Sequence, residues 1–303
     1  MLIVNSSGEG AFSFLQHSEF LAHNNQITFA DTIFPTFLLC TGFSSSLAPR
    51  SHLRLVRRTL GLVFFGCLYN AVRSLLAGQP FRPLGILQRI GVSSYIVSAW
   101  PFNRTALPIL AFVAWYIATY AGSSGCSNES VYMPPECTAQ SRLDIWMFGA
   151  NRLYKPEYDP EGVLGTITTS LVTVSAGQLL NYAIVKYRAP LMSYWRGPKM
   201  IWHFYGRFIG LLLVLIPIPW LLVRFANTPV SKPLWTPPYV FETVIISAAF
   251  WLMTAIVDHY PQLVTGTGIL NSLLATLEVM GQRSLEIYLG GEILQEFGKK
   301  KIK

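Results

Sequence analysis

The sequence predicts an all-α fold, a polytopic transmembrane helix bundle with about eight spans. Apolar and aromatic residues make up 51% of the chain, whereas charged residues make up only 13%. Apolar stretches close to the roughly 20 residues that one helical crossing needs recur along almost the whole chain. The candidate spans are 29–47, 59–78, 84–101, 105–122, 163–185, 205–225, 240–257 and, as the weakest, 272–296.

The loops between these spans alternate in charge. Those after the first, third and fifth spans are basic, and those between them hold most of the acids. Because cytosolic loops carry an excess of Lys and Arg, we expect the basic loops in the cytosol and the acidic loops in the lumen or outside. The basic residues include Arg50, Arg54, Arg57, Arg58, Arg104, Lys186 and Arg188, and the acidic loops are 5–28, 79–83, 123–162 and 226–239.

The net charge of +8 fits attraction of the cytosolic loops to anionic membrane lipids. No single basic face or arm stands out in the sequence, and we therefore expect no nucleic-acid partner. The choice of membrane stays open between an endomembrane of the vacuolar or lysosomal kind and the plasma membrane.

Cysteine positions agree with this sidedness. Cys126 and Cys137 lie in the long acidic loop, where a disulfide forms if the compartment is oxidising. The sequon at Asn128 in the same loop would carry a glycan in the secretory pathway. Cys40 and Cys67 lie within apolar spans, where we expect small buried side chains.

Both ends of the chain look incomplete. Residues 1–4 are apolar but too few to form a helix, and the segment 272–296 carries Glu286, Glu292 and Glu296. So many acids are unusual in a membrane span. We expect one transmembrane domain over residues 1–303 with parts missing at each end.

Polar residues around the first span are candidates for chemistry. His17 precedes the span and can act as a general base near neutral pH, with a solvated loop histidine as the alternative and His23 as an equal competitor. Asp31 lies in the first turn of the span, where an acid satisfies free backbone amides. A capping role and a functional role are both open for Asp31.

Further polar residues lie within or beside the later spans. Gln88 and Arg89 fall inside the third span, where a guanidinium pairs with an acid or lines a polar cavity, or snorkels to the interface. Residues 159–162 read Asp-Pro-Glu-Gly, which predicts a helix start with Asp159 as the N-cap. The last loop offers Lys232 as an anion-binding candidate.

Two aromatic residues near that lysine, Trp235 and Tyr239, are expected to be anchors at the membrane interface. No metal-ligand spacing, phosphate-binding glycine loop or nucleophile elbow occurs in the sequence, and we expect no metal.

Taken together, these residues resemble the heparan-α-glucosaminide N-acetyltransferase family, multi-span enzymes that use acetyl-CoA on one side of a membrane to acetylate a sugar amine on the other. The motifs that carry the resemblance are Val4-Asn5, Gln16-His17, Ala30–Pro35, Phe37–Gly42, Pro83–Gly91, Tyr158–Thr166, Ala176-Gly177 and Pro229–Val240.

The resemblance implies that His17 is the catalytic histidine and that Asn5 is its partner. It also implies one outward-facing pocket, to which we add two candidates from the residues themselves. The implied pocket residues are Asp31, Arg89, Asp159 and Glu161, and the added candidates are Gln88 and Lys232.

The resulting hypothesis is transfer of an acetyl group from acetyl-CoA to an amine or hydroxyl of a sugar-like acceptor. His17 would accept the acceptor's proton and Asn5 would position the acceptor or polarise the thioester carbonyl, with a covalent acetyl-histidine as the alternative route. The anionic CoA is expected at the cytosolic rim, beside Arg50, Arg54, Arg57 and Arg58.

The alternative functions are a membrane carrier, which would move an acceptor without changing it chemically, and a catalytically inactive relative. Partners in every case include membrane lipids, and a homo-oligomer is one of the open assembly states.

Overall fold

The computed structural model describes residues 16–18, 20, 27–47, 51–100, 103–123, 131–194 and 198–259, with scattered positions between 272 and 291. Within these ranges the backbone alone is described for 183–194, 198–204, 207 and 255–259. Several sequence-based predictions lie outside the described residues, namely those for Asn5, His23, Arg50, Cys126, the sequon at Asn128 and both chain ends.

The described part of the chain is all-helical, apart from an isolated bridge between Lys155 and Tyr158. The predicted all-α fold is thus confirmed. The α-helices are α1 (Phe29–Leu47), α2 (His52–Ala77), α3 (Ile86–Ala99), α4 (Ala106–Gly122), α5 (Ala139–Phe148), α6 (Val163–Ile167), α7 (Thr169–Tyr194), α8 (Pro198–Leu215), α9 (Pro217–Phe225) and α10 (Pro237–His259).

The predicted number of about eight spans is not confirmed. Among the described residues, three helical segments are long and apolar enough to cross a membrane: His52–Ala77, Val163–Tyr182 and Phe208–Phe225. Ala106–Gly122 is a shorter apolar helix. Helix α3 has only 14 residues, or about 21 Å of helix, against a hydrocarbon core of about 30 Å.

Helix boundaries differ from the apolar stretches for local reasons. Helix α2 begins at His52, ahead of the apolar stretch at 59–78, so that its first two turns carry arginines. The predicted span 205–225 is divided at Ile216 because Pro217 lacks a backbone N–H and restricts the residue before it. The predicted span 163–185 is likewise divided, at Thr168.

Loops that are far apart in sequence meet at one end of the bundle, which we call the site end. It comprises residues 79–85, 149–162 and 226–236, and is joined by contacts such as that of Arg82 with Asp159. The opposite end carries Arg54, Arg57 and Arg58 of α2 and is called the arginine end; there His52 Nε2 lies 2.9 Å from the Tyr95 hydroxyl. The identification of the site end with the lumen stays a prediction.

Helices α1 and α7 approach each other closely at two glycines. A Cβ atom at Gly42 would lie 1.9 Å from the Val174 carbonyl oxygen, and one at Gly177 would lie 2.0 Å from the Leu39 carbonyl oxygen. Small residues allow such backbone-to-backbone packing between membrane helices. This contact fixes the position of α1, whose first turn carries Asp31.

We expect Gly177→Ala to destabilise the protein by at least about 1–3 kcal/mol, the usual cost of overpacking, because the two helices must separate to admit the methyl group. The measurement is the apparent melting temperature in detergent. Gly210→Ala is the control: a Cβ there meets nothing within 4 Å, and alanine favours a helix over glycine by about 1 kcal/mol. Equal melting temperatures for the two variants would contradict the close approach.

Candidate functional site

A cluster of three side chains joins the segment before α1, the start of α1 and the loop before α10. His17 Nδ1 lies 3.1 Å from Asp31 Oδ1 and 2.8 Å from Lys232 Nζ. Lys232 Nζ is also 3.2 Å from Asp31 Oδ1. The Asp31 side chain is fully buried, whereas half of the His17 side chain is exposed. We call these residues the histidine cluster; all three were candidates from the sequence.

The second carboxylate oxygen of Asp31 caps its helix. Asp31 Oδ2 accepts hydrogen bonds from Thr28 N at 3.3 Å, from Thr28 Oγ1 at 3.0 Å and from Ser18 N at 3.1 Å. Thr28 precedes the helix and Asp31 is its third residue, which is the spacing of a capping box. One oxygen therefore caps α1 while the other contacts His17 and Lys232.

The position of the proton on His17 decides what the ring can do. A carboxylate can only accept a hydrogen bond, so contact with Asp31 calls for a proton on Nδ1 and leaves Nε2 as an acceptor. Burial lowers the pKa of Lys232 despite the attraction of Asp31.

The loop before α10 places Lys232 through local hydrogen bonds. Ser231 N donates to Thr236 Oγ1 at 2.9 Å, and Trp235 N donates to Lys232 O at 3.1 Å. Ser231 Oγ donates to Phe20 O at 2.5 Å. The same loop therefore holds Lys232 and ties the chain beside His17 to the bundle.

A second polar cluster, the arginine cluster, consists of Arg82, Asp159 and Glu161. Arg82 forms a bidentate pair with Asp159 through Nε at 2.7 Å and Nη2 at 2.5 Å, and Nη2 also donates to Glu161. Asn70 of α2 holds the arginine's backbone, since its Nδ2 donates to the carbonyl oxygens of Arg82 and Leu84.

Arg82 also sets the charge of Glu161. Burial by itself would raise the pKa of Glu161, but the Arg82 guanidinium outweighs burial and holds that pKa below its ordinary value. Glu161 therefore stays ionised near neutral pH.

The prediction that Asp159 is the N-cap of a helix is wrong. Helix α6 begins at Val163, after a turn in which Gly162 N donates to Asp159 O at 3.1 Å. Asp144 of helix α5 takes the capping role, accepting from Val163 N at 2.9 Å. The four residues 159–162 form a separate turn, which leaves the Asp159 carboxylate for Arg82.

Arg89 is almost completely buried, with 1% exposure. Its Nε donates to Ser170 Oγ at 2.7 Å and its Nη1 to Pro160 O at 2.6 Å. Its guanidinium carbon lies 3.8 Å from the centre of the Trp235 ring, a cation–π contact. Arg89 therefore does not snorkel, and it forms no ion pair with an acid of the described residues. It fastens the 159–162 turn to α3 and α7.

The two aromatics expected at the membrane interface lie in the core instead. Trp235 is 1% exposed and Tyr239 is 0% exposed. The Tyr239 hydroxyl donates to the backbone oxygen of Asp31 at 2.7 Å. The anchor prediction is thus wrong for both, because Arg89 and the start of α1 offer them polar partners inside the protein.

A cavity of about 880 Å³, the large cavity, opens at the site end and lies in the size range of small-molecule sites. Of the predicted site residues it reaches His17, Lys232, Glu161 and Gln88, but not Arg89. Other residues on its walls include Phe20, Tyr69, Asn70, Arg73, Arg82, Tyr154, Lys155, Glu157 and Tyr158.

Gln88 of α3 lines the large cavity. Its Nε2 donates to Pro83 O at 3.1 Å and lies 3.8 Å from Cys67 Sγ. Helix α2 has a glycine, Gly66, beside it, where a Cβ would be 2.2 Å from Gln88 Oε1. The amide of Gln88 therefore occupies space that any larger residue at position 66 would take.

A second cavity of about 540 Å³, the small cavity, lies between α1, α2 and α3. Arg57 and Arg58 line it together with mostly apolar residues such as Leu62 and Phe65. The exposed Arg54 donates through Nε to Ser51 Oγ at 3.3 Å and is not on the cavity wall.

The two cavities meet at the first turn of α3. Ile86 and Leu87 line both of them. The first turn of α3 is therefore a wall that the two cavities share.

The bonding state and exposure of the described cysteines agree only in part with the prediction. Cys137 is disulfide-bonded, and its predicted partner lies outside the described residues. Cys40 and Cys67 are free, but Cys40 is exposed and lines the small cavity. The expectation of a buried side chain is wrong for Cys40, because its span borders a cavity.

Two residues at or next to the site end were missed by the sequence analysis. Arg82 carried a usable signal, because it is a basic residue in a loop assigned to the acidic side. Asp144 carried none, since its role depends on how α5 packs against the start of α6. Among the described residues no group of three or more His, Cys, Asp or Glu could hold a metal ion.

Comparison with known proteins agrees with the motifs in the sequence. A family model described as the catalytic region of heparan-alpha-glucosaminide N-acetyltransferase matches residues 11–144. Curated heparan-alpha-glucosaminide N-acetyltransferases of Mus musculus and Homo sapiens are 25% and 24% identical to this chain over 98% of its length. The alignments cover 52% and 51% of those proteins, so the chain spans about half the length of these relatives. The resemblance to this family is confirmed.

Asp144 generates a prediction about stability and pH. It is 1% exposed and its Oδ2 has no hydrogen-bond partner. Burial raises its pKa from 3.8 to about 7, despite the hydrogen bond from Val163. Between these two values the folded state binds more protons than the unfolded state, so the Asp144 contribution to stability falls as pH rises. The loss between pH 5.5 and pH 7 is about 2 kcal/mol.

We expect the apparent melting temperature of the wild type to drop from pH 5.5 to pH 8, and Asp144→Asn to drop less because the amide does not titrate. Asparagine keeps the acceptor for Val163. Glu157→Gln, which changes an exposed acid of the neighbouring segment, is the control and should follow the wild type. Parallel curves for wild type and Asp144→Asn would show that Asp144 is ionised throughout.

Proposed function

We propose that this protein is a transmembrane acyltransferase that moves an acetyl group from acetyl-CoA to an amine or hydroxyl of a sugar-like acceptor. One observation carries the proposal: His17 contacts the buried Asp31 through Nδ1 while its ring lines a cavity of about 880 Å³. That cavity meets a second one, which bears Arg57 and Arg58. The similarity to acetyltransferases named above supports the same reaction class.

His17 acts as the general base in this proposal. With Nδ1–H donated to Asp31, Nε2 is free to take the proton of the acceptor as its nitrogen or oxygen attacks the thioester carbonyl. The C–S bond then breaks, and the CoA thiolate leaves and takes up a proton. Asp31 holds the ring in the required tautomer and stabilises the imidazolium, the role that a carboxylate plays beside a catalytic histidine.

Asn5 is proposed to position the acceptor or to polarise the thioester carbonyl. It lies outside the described residues, and its role rests on the family resemblance. An acetyl group carried transiently by His17 is the alternative route.

The acceptor is proposed to bind in the large cavity. Tyr154, Tyr158 and Phe20 give aromatic faces there, and Phe20 packs edge-on against Tyr158 with ring centres 4.7 Å apart. Aromatic rings beside a few charged groups are typical of a pocket that orients a polar ligand. Glu161 and Lys232 on the same walls offer one acceptor and one donor to its substituents.

The donor is proposed to enter the small cavity from the arginine end. Arg57 and Arg58 would contact the CoA phosphates, since guanidinium groups bind phosphate well. The mostly apolar wall beyond them suits the pantetheine arm, which would bring the thioester towards Ile86 and Leu87. Under this proposal the arginine end is cytosolic and the site end is lumenal or outside.

The first test is transfer of label from radioactive acetyl-CoA to a panel of amino sugars by the full chain in detergent. We expect His17→Ala to lower the rate by roughly 10²–10⁴-fold, the usual contribution of a general base. His52→Ala, at the arginine end, should leave the rate close to wild type. His23→Ala shows whether the register of the catalytic histidine is correct.

Loss of transfer in His23→Ala with retention in His17→Ala would move the base to His23. Label retained on the protein after denaturation would favour the acetyl-histidine route. Uptake of an acceptor into vesicles, without any transfer of label, would instead support the carrier function.

The second test uses the two free cysteines to locate the donor. Because Cys40 lines the small cavity and Cys67 lines neither cavity, bound CoA should slow maleimide labelling of Cys40 but not of Cys67. We expect at least roughly tenfold protection at 100 times the dissociation constant, where nearly all sites are filled. Arg57→Glu with Arg58→Glu should abolish the protection, whereas Arg54→Glu should not. Equal labelling with and without CoA would exclude the small cavity as the donor site.

A further inference from the structure

A third cavity, of about 530 Å³, lies between α9 and α10 and is separate from both cavities described above. Ile216, just before α9, and residues 219, 220 and 223 of α9 line it at helical spacing, and residues of α10 face them at 242, 245 and 246. Each set is a stripe along one helix face. The cavity is therefore a groove that runs along two neighbouring helices, and we call it the lateral groove.

The polarity of the lateral groove changes with depth. Glu242 is five residues into α10, or about 7.5 Å from its start, and Ile246 is about 13.5 Å from it. On α9, which runs the opposite way, Trp220 and Ile216 lie at about the same two depths from the site end. The acid therefore sits near the interface and the purely apolar part lies deeper, which is the polarity of a membrane lipid.

Among the described residues Glu242 forms no hydrogen bond and no ion pair, although its side chain is only partly exposed. The other groove residues are all apolar: Ile216, Pro219, Trp220, Val223, Ile245 and Ile246. A carboxyl group at this depth of a membrane protein is costly and calls for a partner.

We propose that the lateral groove binds a phospholipid with a primary ammonium headgroup, phosphatidylethanolamine, from the leaflet at the site end. The ammonium would donate to Glu242, and one acyl chain would lie along Ile245, Ile246 and Ile216. Trp220 is 63% exposed and has the depth of the aromatic residues that contact lipid headgroups.

The headgroup must carry an amine, because an anionic lipid without one would meet the Glu242 carboxylate unpaired. Phosphatidylcholine has no N–H group to donate.

Native mass spectrometry of the detergent-purified chain, mixed with equal amounts of phosphatidylethanolamine, phosphatidylcholine and phosphatidylglycerol, tests this proposal. We expect phosphatidylethanolamine adducts to dominate for the wild type, and Glu242→Gln to lower that preference roughly tenfold, as loss of a charge-assisted hydrogen bond does. Glu242→Lys should shift the preference to phosphatidylglycerol.

Glu286→Gln removes an acid that is exposed and outside the groove, and it should leave the adduct pattern unchanged. An equal preference for the three lipids in the wild type, or an undiminished preference in Glu242→Gln, would overturn the proposal. The first outcome is also the one expected if another part of the chain or a second copy covers the groove. Since the readout is lipid binding, it is independent of acetyl transfer.

Discussion

The buried carboxylate of Asp31 is the interaction on which the site end depends. A charge without solvent contact is stable only where the protein supplies its hydrogen bonds, and Asp31 obtains them from three separate parts of the chain. The segment at His17, the start of α1 and the loop at Lys232 are therefore held together by one side chain. The Gly42 contact with α7 fixes the helix that carries it.

Two arginines hold the loops of the site end together. They donate hydrogen bonds to acids and to a backbone carbonyl that would otherwise lack a partner among the described residues. Arg82 neutralises Asp159 and Glu161, and Arg89 holds the backbone between them at Pro160. Arg82 lies in the loop before α3, and Arg89 lies in the first turn of α3. A guanidinium can satisfy several acceptors in fixed directions, so two side chains suffice to attach the turn 159–162 to the bundle.

The sequence predicted the features that depend on local composition. The helical fold and the start and end of α1 followed from apolar stretches. His17 and Asp31 followed from the family resemblance, and Lys232 was a candidate from its own loop. Features that depend on packing were missed or misjudged. Trp235 and Tyr239 were predicted to lie at the membrane interface because nothing in their own segment shows that they contact Arg89 and Asp31. Helix α3 reads as a span, yet it is too short to cross a bilayer unaided.

Helix α2 differs from α1 in what surrounds it. Only Leu55, Gly66 and Asn70 of its 26 residues are buried, so most of its surface faces away from the rest of the described protein, whereas α1 and α7 pack backbone to backbone. Yet α2 supplies one wall of both the large and the small cavity. One helix therefore borders both cavities on one side and the surroundings of the protein on the other, so any displacement of α2 would change the volumes of the two cavities together.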